Sequence, residues 1–386
     1  MLRYYLFSDK KHSTLRFYFR IDSLFEDFMK KLDVYIIRKF LGTFFLSILL
    51  ILMIIVVFDI SERMEDFLDK KPPIKEIIVD YYFNFLPFLV NLFSPLFTFI
   101  AVIYFTSRMA SRSEIIAILG SGVSFRRLLF PYMISAAVLA LLSLYFNHFV
   151  LPNSNGIRLA FEEKYMRNPY ENRDINIHRQ IDTETFIYFS SYNSKYNTGY
   201  QFSIEKIHDG VRYYFLKSDN IRWDSTLNKW ALENYFVRRI NGMSEIVSTG
   251  THLDTTFDFK PSEFSRRENR IEAMKTPELN DFIADEKKKG SYLIPYYEVE
   301  KHRRSTYPFA TFVLTLIGAS VASRKVRGGI GWHIGLGLLI AFSYILFMQI
   351  STTFAINGGL SAEIAVWIPN VIYIFLALLM LKNAPK

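Results

Sequence analysis

The chain has 386 residues, of which 51% are hydrophobic, 17% aromatic and 22% charged, with a formal net charge of +9 and no cysteine. The lack of cysteine excludes disulfide frameworks, thiolate nucleophiles and Cys-ligated zinc or iron–sulfur centres. Several nearly charge-free runs of about 18 residues or more exclude a water-soluble fold, in which each would need burial on every side, and define a polytopic membrane protein.

Residues Met1 to Phe28 are polar and aromatic without a clear period, and no apolar segment with a small-residue cleavage site precedes the first span, so no cleaved signal peptide is expected. Residues 1–31 read as a cytoplasmic extension, with Met29-Lys30-Lys31-Leu32 a natural start for the first span. That span runs from Phe40 to Phe58, with Lys30, Lys31, Arg38 and Lys39 before it and Asp59, Glu62, Glu65 and Asp66 after it. Basic residues before and acidic residues after place the N-terminus in the cytoplasm. A second run, Tyr81 to Thr106, contains Pro87 and Pro95 and is expected to kink.

A short basic connector follows, with Arg108, Arg112, Arg126 and Arg127, which the same rule makes cytoplasmic. Within it, Ser111 and Glu114 have capping-box spacing, and Gly120 and Gly122 are suited to end a helix, so an amphipathic helix is predicted over about 111–120. Glu114 could serve only as a cap, and the isoleucines only as contacts to lipid headgroups. The third run, Leu128 to Val150, returns outward and completes a first membrane block over 32–150.

From Leu151 to Arg304 the chain is polar and strand-like. Period-two alternation in Phe186-Ile187-Tyr188-Phe189, Phe202-Ser203-Ile204 and Thr255 to Phe259, with turn signals at Asp209-Gly210 and Asn241-Gly242, predicts an all-β domain of the jellyroll or related two-sheet type. Trp223 and Trp230 flank a turn at Asp224 to Lys229, and Thr276 to Lys289 reads as a helix stopped at Gly290. The aromatic faces serve either as ordinary core or as an open trough for something greasy. Three further runs, Thr306 to Ala322, Ile330 to Phe354 and Ile364 to Leu381, make a second block over 305–386. Arg324, Lys325, Arg327, Lys382 and Lys386 then fall on the cytoplasmic side, which puts both termini inside and the β domain outside. Arg303 and Arg304, just before span four on the outer side, oppose the trend.

The familiar catalytic patterns are missing. No phosphate-binding G-x-x-x-x-G-K-[ST] loop and no H-E-x-x-H occurs, and no metal site is expected from the seven scattered histidines. The glycines at 328, 329, 331, 335 and 337 read as close helix packing in span five. Few ionisable residues lie inside the spans, chiefly Glu363 and the border residue Asp59, so a proton relay has little to stand on.

The sequence resembles the LptF/LptG (YjgP/YjgQ) permeases of the lipopolysaccharide export ABC transporter. The resemblance rests on Leu32-Asp33-Val34-Tyr35-Ile36-Ile37, on Ser113 to Leu119 with Ser121 to Phe125, on Leu151-Pro152-Asn153, and on Tyr297 to Arg304 leading into span four. It covers nearly all of Leu32 to Lys382. It implies six transmembrane helices, three before and three after a periplasmic β-jellyroll, in the inner membrane of a Gram-negative bacterium. It also implies a second LptF/LptG-type permease, an LptB-like cytoplasmic ATPase dimer that uses ATP and Mg, and LptC/LptA-like periplasmic jellyroll proteins. Lipopolysaccharide is the implied cargo, no cofactor is bound by this chain, and nucleic acid has no part.

On this resemblance the connector is a coupling helix seated on the ATPase, with Glu114 matching the family's acidic residue, beside Ile115, Ile118, Leu119 and Gly122. Arg63, Lys70, Lys71, Arg158, Arg303 and Arg304 are candidates for the phosphorylated headgroup. Phe44, Ile48, Phe342 and Phe347 are candidates for the acyl-chain cavity. Phe186, Tyr188, Phe202, Ile204, Phe257 and Phe259 are candidates for the trough lining. Where family members often place a Lys near the outer end of span one, this chain has Asp59 and Glu62; the partner permease, or a divalent cation bridging carboxylate to phosphate, would have to compensate. The competing readings are an envelope enzyme with its site in the outer domain and an ABC-type mechanotransmitter scaffold that moves no lipid. The first lacks a converging acid–base set among Glu162, Glu163, Glu184 and Glu205, and the second generally has four spans.

Overall fold

The computed structural model describes residues 30–168, 170–265, 267–324 and 329–384. The expectations for the N-terminal extension and for Lys325, Arg327, Gly328 and Lys386 lie outside the described residues.

Helix α1, Lys31–Glu62, has 32 residues and is about 48 Å long at 1.5 Å per residue, ample for a hydrocarbon core of about 30 Å. Ile36, Phe40, Phe44, Ile48 and Leu52 form its buried seam, each four residues from the last, while Phe45, Leu49, Met53 and Phe58 on the other side are exposed. A single turn of chain and the short helix α2, Met64–Lys70, lead to α3, Ile74–Ser111, which opens with a π-helical stretch over Ile77–Tyr82. The helix continues without interruption through Pro87 and Pro95.

The connector carries α4, Glu114–Gly120, and then α5, Phe125–Tyr165, begins with Ser124 accepting the Arg127 N–H as its cap. At 41 residues α5 spans about 62 Å, twice the hydrocarbon core. The third span therefore does not end at Val150: a π-helical stretch over Phe146–Val150 passes directly into Leu151–Tyr165, whose inner face holds Asn155, Arg158 and Glu162.

The inserted domain is one six-stranded antiparallel sheet in the order β1-β2-β3-β4-β5-β6: Ile175–Gln180, Thr185–Asn193, Thr198–His208, Val211–Asp224, Lys229–Asn241 and Ser244–Thr255. Every strand thus pairs with its sequence neighbour. Asp209 and Gly210, both at positive φ, close the tight turn between His208 and Val211, as the mirror-image hairpin turns require. Ile187, Ile204, Leu216 and Val237 are aligned across four strands on the buried face. The second layer over this core is not another sheet but the stretch after β6, whose Phe257, Phe259 and Phe264 pack on it while Phe259 O accepts the Trp230 indole N–H at 3.0 Å.

Two 3₁₀ turns, Pro261–Glu263 and Glu268–Ala273, and helix α6, Thr276–Lys288, return the chain to the membrane block, with Gly290 at positive φ after α6. Helix α7, Ile294–Thr306, meets α8, Phe309–Ala322, at a bend of 53°. The 14 residues of α8 cover only about 21 Å, so span four needs part of polar α7 to cross. Helices α9, Gly329–Asn357, and α10, Ala362–Lys382, complete the block. Five helices qualify as spans among the described residues, or six with the bent pair counted as one. A methyl on Gly337 would collide with Ile103 of α3, so this glycine permits close packing, whereas Gly331 and Gly335 face open space.

Candidate functional site

The connector is built as a two-faced element. Ile115 is 1% exposed and joins the membrane core, and Ile118 and Leu119 pack against the same cluster. Ile116, Ala117, Gly120 and Gly122 are exposed. Of the residues the resemblance assigned to coupling, Ile115 therefore faces inward, and Ile116, outside that set, is the isoleucine exposed on the outward side. The helix also starts later than the spacing predicted. Ser111 is no cap: its hydroxyl donates to Arg108 O at 2.9 Å, and Ser113, in the left-handed region at φ 61°, precedes the first helical residue, Glu114. Gly122 has φ +86°, the region glycine enters without steric cost.

Both ends of the connector touch the first turn of α1. The Tyr35 hydroxyl donates to Glu114 Oε2 at 3.1 Å. Asp33, 1% exposed, accepts a fork of two hydrogen bonds from Arg127, at 2.7 and 2.6 Å, and a third from the Lys30 N–H at 3.0 Å. No local spacing in the sequence announces either contact.

At the opposite end of the bundle, two of the headgroup candidates are internal. Arg304 is 3% exposed and donates to Met274 O, Ile271 O and Glu300 at 2.7, 2.9 and 3.2 Å. Arg158 pairs with Glu162 at 2.5 Å and lies over the Phe88 ring, 4.8 Å from its centre. Both guanidinium groups are buried and paired within the fold, which removes them from an exposed rim. Arg303 remains half-exposed, holding Glu300 at 2.6 Å. Arg63 is 3.8 Å from Asp66, Lys70 donates to Arg167 O at 3.2 Å, and Lys71 ends α2 at φ 46°. Asp59 does not present a free carboxylate to a cation: Tyr81 and Tyr82 donate to its two oxygens at 3.1 and 3.0 Å.

Beside Arg304 lies a partly open cavity of about 150 Å³ lined by Asn91, Asn147, Glu272, Glu300, Arg303 and Tyr307. Burial raises the Glu272 carboxyl above its ordinary value and the negative charge of Glu300 raises it further, with Arg303 and Arg158 opposing. Asn91, Ser143 and Asn147 continue this polar layer by hydrogen bonding one another across α3 and α5.

The apolar candidates divide in the same way. Phe44 and Ile48 are 2% and 5% exposed and pack inside this chain's own core, so neither lines an open cavity; Phe342 and Phe347 are exposed. In the β domain Phe202, Ile204 and Phe259 belong to the buried core with Phe257 against it. Phe186 and Tyr188 project from the other face, where the Tyr188 hydroxyl donates to Asn176 and its ring lies 4.7 Å from that of His178. One trough cannot be lined by all six. Among the described residues no group of three or more His, Asp or Glu is placed to hold a metal ion.

No curated protein matches the chain. The family model described as lipopolysaccharide export system permease LptF/LptG matches residues 34–383, which takes in both membrane blocks, the connector and the inserted sheet. With nearly its whole length matched and the helices-sheet-helices layout in place, the chain belongs to the LptF/LptG family of lipopolysaccharide export permeases.

Proposed function

We propose that this chain is a non-catalytic transmembrane subunit of an ATP-driven exporter in the inner membrane of a Gram-negative bacterium. It works beside a second permease of the same family and above an LptB-like ATPase dimer, which binds the ATP and Mg. It takes lipopolysaccharide from the outer leaflet and passes it to LptC/LptA-like periplasmic β proteins. The basic connector and tail lie in the cytoplasm, with the sheet in the periplasm.

The physical need for such a machine follows from the cargo. Moving acyl chains into water costs roughly 0.8 kcal/mol per methylene, so a lipid with several chains requires both an energy source and an apolar route. The route is best supplied by the exposed side of α1 (Phe45, Leu49, Met53) and by Phe342 and Phe347 of α9, all of them exposed. Arg63, Lys70, Lys71 and Arg303 remain the headgroup candidates. The observation that carries the reading is the connector: a short helix with one face sunk in the membrane core and the other, Ile116 with Glu114 at its edge, turned outward.

The test is to purify the tagged chain from native membranes and ask whether a soluble ATPase and a second permease come with it, then to repeat with Glu114→Arg and Ile116→Asp. Retention by wild type and loss in both variants is expected. Wild type emerging alone, without ATPase or lipopolysaccharide, would overturn the proposal and return attention to an enzyme with its site in the outer domain.

A further inference from the structure

We infer that Asp33, Arg127 and Tyr35 are positioning residues that join the connector to α1, so that a push on the connector moves the first span as one body with it. This deepens the reading above and rests on it. Residues two apart on a helix project about 200° apart, and α1 uses both directions. Asp33 looks into the bundle and takes the fork of Arg127 at the start of α5. Tyr35, 38% exposed, reaches from the outer side to Glu114 at the start of α4. The first turn of α1 therefore holds the connector at both of its ends.

Beneath these polar contacts the connector rests on rings that cannot be compressed. Ile115 shares a single buried cluster with Phe40 of α1, Phe105 of α3 and Tyr132 of α5. Phe40 and Phe105 stack at 5.7 Å, Phe105 and Tyr132 at 5.1 Å, and the Tyr132 hydroxyl meets Thr106 at 3.0 Å. Close-packed interiors transmit displacement instead of absorbing it. Among the described residues nothing packs on the opposite side of α1, where Phe45, Leu50 and Met53 are exposed, so α1 is the element free to respond. A two-pronged Arg–carboxylate pair adds direction to the contact, and one with a fully buried carboxylate specifies geometry more than it adds stability. That is the property a joint needs.

The test uses the full chain in its complex with the ATPase, in proteoliposomes carrying lipopolysaccharide, comparing wild type, Asp33→Asn, Arg127→Gln, and the exchange Asp33→Arg with Arg127→Asp. Three quantities are read: ATPase retained, ATP hydrolysed, and lipopolysaccharide released per ATP. Because the native chain has no cysteine, spin labels at Leu50→Cys and Leu141→Cys, both exposed, report the α1–α5 separation directly. In the single variants we expect the ATPase to stay bound, release per ATP to fall at least tenfold, and the nucleotide-dependent change in label separation to vanish, with the exchange restoring both. Unchanged release per ATP and an unchanged label response in both single variants would overturn the joint. So would loss of release in strict proportion to loss of bound ATPase, because the pair would then only fold the connector. Wild type lacking any ATPase would instead refute the exporter reading itself, which separates the two failures.

Discussion

Replacing Arg304 by Met tests whether this residue belongs to the frame or to the lipid rim. Methionine keeps much of the apolar stem and removes every donor. The change strands the carbonyl of Met274, which receives a hydrogen bond at 2.7 Å, takes from Ile271 O one of its two hydrogen bonds, the other being the Met274 N–H at 3.1 Å, and leaves Glu300, 12% exposed, without one of its two arginines. Each orphaned buried acceptor costs about 1–3 kcal/mol, and breaking a buried charged contact from one side costs about 3–5 kcal/mol. These terms overlap in one network, so a total of about 3–5 kcal/mol is expected. With an unfolding entropy of about 2.1 cal/mol/K per residue over a chain of this length, that loss lowers the melting temperature by roughly 4–6 °C. Arg303→Met, which removes a half-exposed side chain bonded to the same Glu300, should cost under about 1 kcal/mol. Thermal melts of the purified full chain, followed by tryptophan fluorescence, give the comparison. Equal shifts for the two variants, or an unshifted Arg304→Met that instead loses lipopolysaccharide binding, would refute the internal assignment.

Three further outcomes follow from the same geometry. Because the folded state holds the Glu272 proton more tightly than the unfolded chain, Glu272 contributes more to stability as pH falls from its raised value toward the ordinary glutamate range; Glu272→Gln should therefore melt above wild type near neutral pH, with the gap closing on acidification, and parallel curves would refute this. Gly199→Ala in β3 puts a methyl into the Phe189 ring and 3.0 Å from Ile221 Cγ2, an overpacking that should cost about 1–3 kcal/mol, readable in the same melt; no change would mean that the Phe189 ring has somewhere else to go. Phe44→Ala should destabilise the chain by about 2 kcal/mol or more through the void it leaves, whereas Phe342→Ala should leave the melt unchanged and lower lipopolysaccharide crosslinking at that position; the reverse pattern would exchange their roles.

Much of the plan is legible along the chain because it depends on local signals. Long apolar runs need no tertiary knowledge to be recognised, and Asp209-Gly210 marks a hairpin because its turn demands positive φ at both residues. What a side chain faces is a different matter. Phe44 and Phe45 are neighbours of one kind in one run, yet the first is 2% exposed and the second 51%, a difference set by where α3 and α5 pass. Phe186 and Ile187 separate onto two faces for the same reason, since the alternation is visible but not which phase looks inward. Arg158 and Arg304 read as headgroup binders because the carbonyls and carboxylates that claim them are contributed largely by the return segment of 271–274 and by Glu162 and Glu300. The outer boundary of span four has no local signal: its apolar helix is too short alone, and the bend after Thr306 brings polar α7 into the crossing.

The way α1 is held bears on how a lipid gate would open. Its inner end is fixed by Asp33 and Tyr35, its outer end by Asp59, whose carboxylate is shared by the two tyrosines of the π-helical stretch that opens α3, and between them runs a single apolar seam from Ile36 to Leu52. A seam of this kind gives little resistance to tilting, because hydrocarbon tails solvate the outer face as well as a protein neighbour would and no hydrophobic cost attends the exchange. The polar ends behave oppositely, since breaking them strands charge at the edge of an apolar medium. Opening α1 toward lipid is therefore cheap only as a movement that keeps both ends attached, a roll about the line joining Asp33 to Asp59. On the proposed lipid route, such a movement would carry the exposed side of Phe45, Leu49 and Met53 across the path of an acyl chain, without unfolding a turn or exposing a carboxylate.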